Sequence, residues 1–147
     1  MSNLLNNRIN ISLTEKWEID KRSVKLGSIK DKWEYWPWTN ITNRKLEIAM
    51  ARLRLGHCCL NFHLHRIGIS DTPNCLFCGV EETIEHFLMS CHRYYSNRMI
   101  LHSYLHSLGI RNITKEILLG GGNLDKDIKT KVNKGVIKFL RTCNKNL

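Results

Sequence analysis

Cys75, Cys78, His86 and Cys91 lie within 17 positions in the order Cys-x2-Cys-x7-His-x4-Cys, and no other stretch restricts the chain's geometry as tightly. Two thiols two residues apart face one ion when the turn between them is tight. Gly79, directly after the second thiol, supplies a backbone free to make that turn. Thr83 is placed to cap a helix that carries His86 in its first turn. Five residues advance about 500° along an ideal α-helix, so His86 and Cys91 would not share a face. The helix is therefore expected to end or distort before Cys91. Three thiolates and one imidazole make a closed tetrahedral set suited to Zn2+, with no position left for a catalytic water. A redox role, the usual rival for a lone Cys-x-x-Cys, is disfavoured by the nearby His and Cys and by the lack of a βαβ pattern. Packing explains single buried cysteines, but not four ligand types gathered in so short a span.

Cys58, Cys59 and Cys143 bring the cysteine count to six. The first eight residues contain no long apolar run and no small-residue cleavage site, so a secreted disulfide framework is not indicated. No run approaches the roughly 18 apolar residues of a membrane span. The expectation is an intracellular chain, in nucleus or cytoplasm, with no membrane partner. At 147 residues it has room for a modest core but not for a TIM barrel, a kinase or a complete polymerase.

Lys and Arg number 23 against 13 Asp and Glu, a net charge of +10. The excess is uneven: residues 1–56 carry +5, residues 57–110 carry −1, and residues 111–147 carry +6. A near-neutral centre between basic flanks favours a polyanionic partner, RNA and/or DNA, because counterion release drives such association. The competing reading is an ordinary solvated surface.

The hydrophobic periodicity predicts a mainly α protein: a small helical domain organised around a Cys3His zinc-binding node. Residues 13–36 read as helical but interrupted, with Gly27 weakening a continuous helix. Over 43–55, Leu46, Ala49, Met50 and Leu53 form one apolar stripe and Gly56 stands at the C-cap position. Arg44, Lys45, Arg52 and Arg54 fall off that stripe, which predicts an exposed basic face on a helix packed against the node. A helix is expected over 93–108, with Tyr94 or Tyr95, Met99, Leu101, Leu105 and Leu108 inward. A short turn is expected at 114–119, and a flexible break at Gly120-Gly121-Gly122. A last helix is expected from Asp125, with Ile128, Val132, Val136, Phe139 and Leu140 on one side and lysines, among them Lys129 and Lys134, over much of the rest. The organisation expected is an N-terminal helical extension (1–39), a helix plus zinc-binding domain (40–110) and a basic C-terminal helical segment (111–147).

Other chemistry-bearing residues carry weaker signals. His57, Cys58, Cys59, His63 and His65 match no common finger spacing, and Leu60, Phe62 and Leu64 among them point to packing beneath the zinc site. His102 and His106 are one helical turn apart with nothing else converging on them. Cys143 reads as an unpaired thiol. Trp33, Tyr35, Trp36 and Trp38 are available for base stacking, though such residues more often serve a core or an interface. No catalytic residue is assigned. The acidic residues are scattered rather than gathered for magnesium, and no phosphate loop or nucleophile elbow is present, so the chain is not expected to be an enzyme.

The order of these motifs resembles a known family. The run Ala51-Arg52-Leu53-Arg54-Leu55-Gly56-His57 is followed by Leu60-Asn61 and Leu64. Pro73-Asn74-Cys75-Leu76-Phe77-Cys78-Gly79 comes next, then Glu82-Thr83-Ile84-Glu85-His86-Phe87-Leu88 and Cys91, with Tyr94 and Arg98 beyond. This is similar to the zinc-binding tail that follows the reverse transcriptase or ribonuclease H of insect-type non-LTR retrotransposon polyproteins, over roughly residues 30–108 and weakly before. The resemblance implies an accessory segment that helps such a protein engage RNA or target DNA in target-primed reverse transcription. It makes Cys75, Cys78, His86 and Cys91 the metal ligands and gives Arg52, Arg54 and His57 a role in RNA contact or packing. Polymerase, ribonuclease H and endonuclease carboxylate motifs are missing, so a fragment or separately encoded tail without catalytic activity is expected. The expected nucleic-acid contacts are Arg44, Lys45, Arg52, Arg54, Lys129 and Lys134. The rival reading is a zinc-stabilised scaffold that docks on a larger reverse transcriptase body.

Overall fold

The computed structural model describes residues 13–20, 25–30 and 43–147, and the aromatic run Trp33–Trp38 lies outside these. Six α-helices appear among the described residues. They are α1 (13–20), α2 (Arg44–Leu55), α3 (Asn61–Arg66), α4 (Tyr95–Ser107), α5 (Lys115–Leu118) and α6 (Lys126–Cys143). No β-strand occurs there, only an isolated antiparallel bridge between Asn74 and Glu81. None of the described helices is long and apolar enough to cross a membrane. The interruption expected near Gly27 is present as a 3-10 turn at Lys25–Ser28, which contains that glycine.

α2 begins where the Asn43 side chain accepts from the amides of Lys45 and Leu46, and it ends at Gly56 with φ of 78°. Its stripe buries Ala49, Met50 and Leu53, with Leu46 partly buried beside them. α6 contributes Val132, Val136, Ile137, Phe139, Leu140 and Cys143 to the same core. Each fully buried Leu, Val or Phe side chain contributes about 1.5–3 kcal/mol through removal from water. α6 packs mainly against α4, and also against α5 and α2. The core is therefore assembled around the C-terminal helix.

Four expectations fail in instructive ways. Arg54 is buried, not on an exposed face: its Nε donates to the Leu119 carbonyl at 2.9 Å and a terminal nitrogen donates to Asn133 Oδ1 at 3.0 Å. The helix that packs most closely on the turn carrying His86 is α4, whereas α2 packs on α6 and on the 25–28 turn. Met99 is exposed, because α4 turns that side to solvent and buries Leu101 and Leu105 instead. The triple glycine is not a free linker, since Gly120 and Gly121 are buried and the Gly121 amide donates to the Glu116 carbonyl at 2.7 Å.

Candidate metal centre

The first two thiols come from a tight loop closed by its own backbone. The Cys75 amide donates to the Val80 carbonyl at 2.7 Å, the Gly79 amide to the Cys75 carbonyl at 2.9 Å, and the Glu82 amide to the Pro73 carbonyl at 2.8 Å. Gly79 takes φ of 71°, the left-handed conformation that its missing Cβ permits. The Cys78 sulfur accepts the backbone N–H of His92 at 3.4 Å, and this donor lowers the Cys78 thiol pKa.

The third and fourth ligands come from one distorted helical turn. Thr83 Oγ1 accepts the His86 amide at 3.0 Å, starting the turn at the expected residue. The backbone then runs as a π-turn over His86–Ser90, in which the Cys91 amide donates to the His86 carbonyl at 2.7 Å. An i→i+5 bond widens the turn by one residue and sets Cys91 beside His86, as an α-turn would not. Cys91 leaves the turn in extended geometry, so its side chain returns to the loop.

The four ligand atoms all lie within 4.8 Å of one another. Cys91 Sγ is 3.8 Å from Cys75 Sγ and 3.9 Å from Cys78 Sγ. Thiolates held about 2.3 Å from a tetrahedral Zn2+ stand about 3.8 Å apart, so the sulfur spacing fits that ion. His86 is buried and its Nε2 has no hydrogen-bond partner, while Nδ1 meets the Ser90 hydroxyl at 3.3 Å. Nε2 is thus the nitrogen left for the metal, and Ser90 fixes the ring from behind. Burial pushes the Cys91 thiol up to about 11, and a divalent cation is what converts such a thiol into a ligand at neutral pH. The donor set, its spacing and the orphaned imidazole nitrogen fit Zn2+.

Several supporting residues carry no signal in a ligand-spacing pattern. Glu82 is buried, and its carboxylate accepts the Asn61 amide at 2.8 Å and the Lys145 ammonium, so the node is tied to α3 and to the end of α6. Asn61 Nδ2 also donates to the Asn74 carbonyl at 2.7 Å. Arg98, buried on α4, donates to the Cys91 carbonyl. Three thiolates on one Zn2+ leave a net charge of −1, and Arg98 is a buried cation at its edge. The available hint was that Arg98 is one of only three Lys or Arg in residues 57–110.

The remaining candidates disperse. Cys58 is buried and Cys59 exposed, the His57 and His63 rings pack edge-on at 5.2 Å, and His65 Nδ1 lies 2.9 Å from the Ser70 carbonyl oxygen. Leu60 is buried as expected, but Phe62 is 40% exposed. Among the described residues the quartet is the one group placed to hold a metal. Of the basic positions, Arg44, Lys45 and Lys134 are exposed, and Lys129 is half-buried. Arg52 is exposed but donates to the Leu147 carbonyl at 2.7 Å. Arg54 is enclosed as described.

A Cys3His node with no open coordination position, embedded in a helical core, defines a structural zinc-binding domain. Residues 13–97 match the family described as zinc-binding in reverse transcriptase. The chain belongs to that family, and the match spans more than half of its length. No curated protein and no solved structure is detectably similar to it.

Proposed function

We propose that this chain is a nucleic-acid-binding accessory segment of a non-LTR retrotransposon reverse transcriptase polyprotein, without catalytic activity of its own. The observation that carries this reading is a basic stripe on α6. Lys131, Lys134, Lys138 and Arg141 are all exposed and follow one another at steps of three, four and three residues, so they line one face. At about 1.5 Å per residue the stripe is about 15 Å long, comparable to several phosphate spacings. Arg44 and Lys45 add exposed charge at the start of α2. Zinc holds the 75–91 node, the node packs on α4, and α4 fixes α6, so the metal supports the basic face at a distance.

Binding of this kind is electrostatic, weakly selective for sequence and steeply dependent on salt. With generic RNA, replacing Lys131, Lys134 and Lys138 by Ala is expected to flatten the log K against log[salt] slope by about 0.7–0.9 per lysine removed. A slope unchanged by the triple variant, or no RNA binding at low salt, contradicts the reading.

A second reading has its own support. Ile67 and Ile69, in the turn after α3, are 51% and 70% exposed, and Ile19 on α1 is 76% exposed. These apolar groups suit a scaffold that docks on a larger reverse transcriptase body. Absence of RNA binding together with stable association with such a body supports this alternative.

A further inference from the structure

The loop between the first two ligands presents apolar side chains to solvent. Leu76 and Phe77 stand between Cys75 and Cys78 and are 86% and 63% exposed, and Val80 just beyond is 53% exposed. A loop fixed by two metal ligands cannot fold these groups inward, so their exposure is built into the node. The Arg93 guanidinium lies over the Phe77 ring, 4.5 Å from its centroid. Arg93 is itself exposed, and it follows His92, whose amide is bonded to the Cys78 sulfur. Ring and cation are therefore held together by the same few residues that hold the metal. The acidic residue that follows in the sequence, Glu81, belongs to the bridge at the loop's base, opposite Asn74.

We propose that Phe77, with Arg93 stacked against it, is a binding site for an unpaired base of single-stranded nucleic acid. The inference rests on the nucleic-acid reading above and adds where a base is held. Every nucleobase has a π-face that can stack on the side of the Phe77 ring that Arg93 does not cover, and the guanidinium on the other side adds positive charge that attracts the strand's phosphates. Bases inside a duplex are already stacked and do not reach a convex loop tip. A protein partner would bury Leu76 and Val80 but would also have to desolvate Arg93, whereas a phosphodiester strand satisfies the apolar and the cationic groups together. The site is separate from the α6 stripe in its chemistry: the stripe grips phosphates of either strand state, and the tip selects strands with free bases.

The test uses the full zinc-loaded chain, a uridine homopolymer and a blunt-ended RNA duplex, at one fixed salt concentration. Phe77→Ala is expected to weaken homopolymer binding by about tenfold and leave duplex binding unchanged. Phe77→Leu keeps the apolar bulk and loses the π-face, so it is expected to behave like the Ala variant, while Phe77→Trp retains binding. Zinc content measured on each variant shows that the loop is intact. If Phe77→Leu binds the homopolymer as tightly as the unaltered chain, or if homopolymer and duplex binding fall together, the stacking site is wrong and the phosphate-binding stripe still stands. If the unaltered chain binds neither RNA, the underlying nucleic-acid reading fails first.

Discussion

Two buried arginines divide the work that a count of basic residues would assign to solvent. Arg54 ties α2 to the Leu119 carbonyl and to Asn133 on α6, and burial lowers its pKa to about 10. Arg98 faces the metal node instead, donating to the Cys91 carbonyl from one turn into α4. A buried charge is costly unless it is paired, and the anionic three-thiolate centre is what offsets Arg98. Replacing Arg98 by Met keeps much of the volume and removes the cation. Zinc affinity, measured by competition with a chelator, is expected to fall about 10–100-fold, the range usual for partners that orient metal ligands. Unchanged affinity in a folded variant refutes the role. That Cys75, Cys78, His86 and Cys91 come together was legible from spacing alone. Their partners were not, because Glu82, Asn61 and Arg98 act through long-range contacts that no local pattern encodes.

At the scale of elements, a mismatch of period turned out to be informative. A helix carrying His86 cannot present Cys91 on the same face with α-helical spacing, which forces a distortion, and the π-turn is the form it takes. The turn has a second consequence: it buries Phe87, whose ring packs edge-on against Tyr94 at 5.2 Å and in a tilted arrangement against Phe139 of α6 at 5.8 Å. Such aromatic pairs add about 0.5–1.5 kcal/mol each beyond area burial. The 120–122 glycines show the opposite case, where composition misleads. A Cβ on Gly121 would stand 3.0 Å from the Ile29 carbonyl oxygen and 3.1 Å from that of Glu116. Both obstacles are backbone, so relief requires moving the 25–30 segment or α5. Overpacking costs about 1–3 kcal/mol, more than the about 0.4–1 kcal/mol that Gly→Ala gains through the unfolded chain. Gly121→Ala is therefore expected to lower the thermal midpoint, and a raised midpoint would show that this connection is as loose as its composition suggests. Triple glycine reads as a linker because sequence conveys permissiveness and not the close approach that exploits it.

For the whole molecule, stripe periodicity located α2 and the start of α6 to within one residue because both helices bury one continuous face. It failed at Arg54 because α2 is covered on two sides: the α5–α6 layer encloses a position that lies off the stripe. Among the described residues, exposed basic side chains stand on α6 (Lys131, Lys134, Lys138 and Arg141) and at the start of α2 (Arg44 and Lys45), outside the near-neutral 57–110 segment that holds the metal node. Such a small core depends on the metal, since ligation energy in a structural site is folding energy. The most direct test is elemental analysis of the purified full chain, combined with thiol reactivity before and after chelation under native conditions. Cys59, which is exposed, serves as the internal reference. The expected result is one zinc per chain, with Cys75, Cys78 and Cys91 protected relative to Cys59 until a chelator exposes them and unfolds the 75–91 node. A metal-free, folded chain whose node thiols react as fast as Cys59 would contradict the account at its centre.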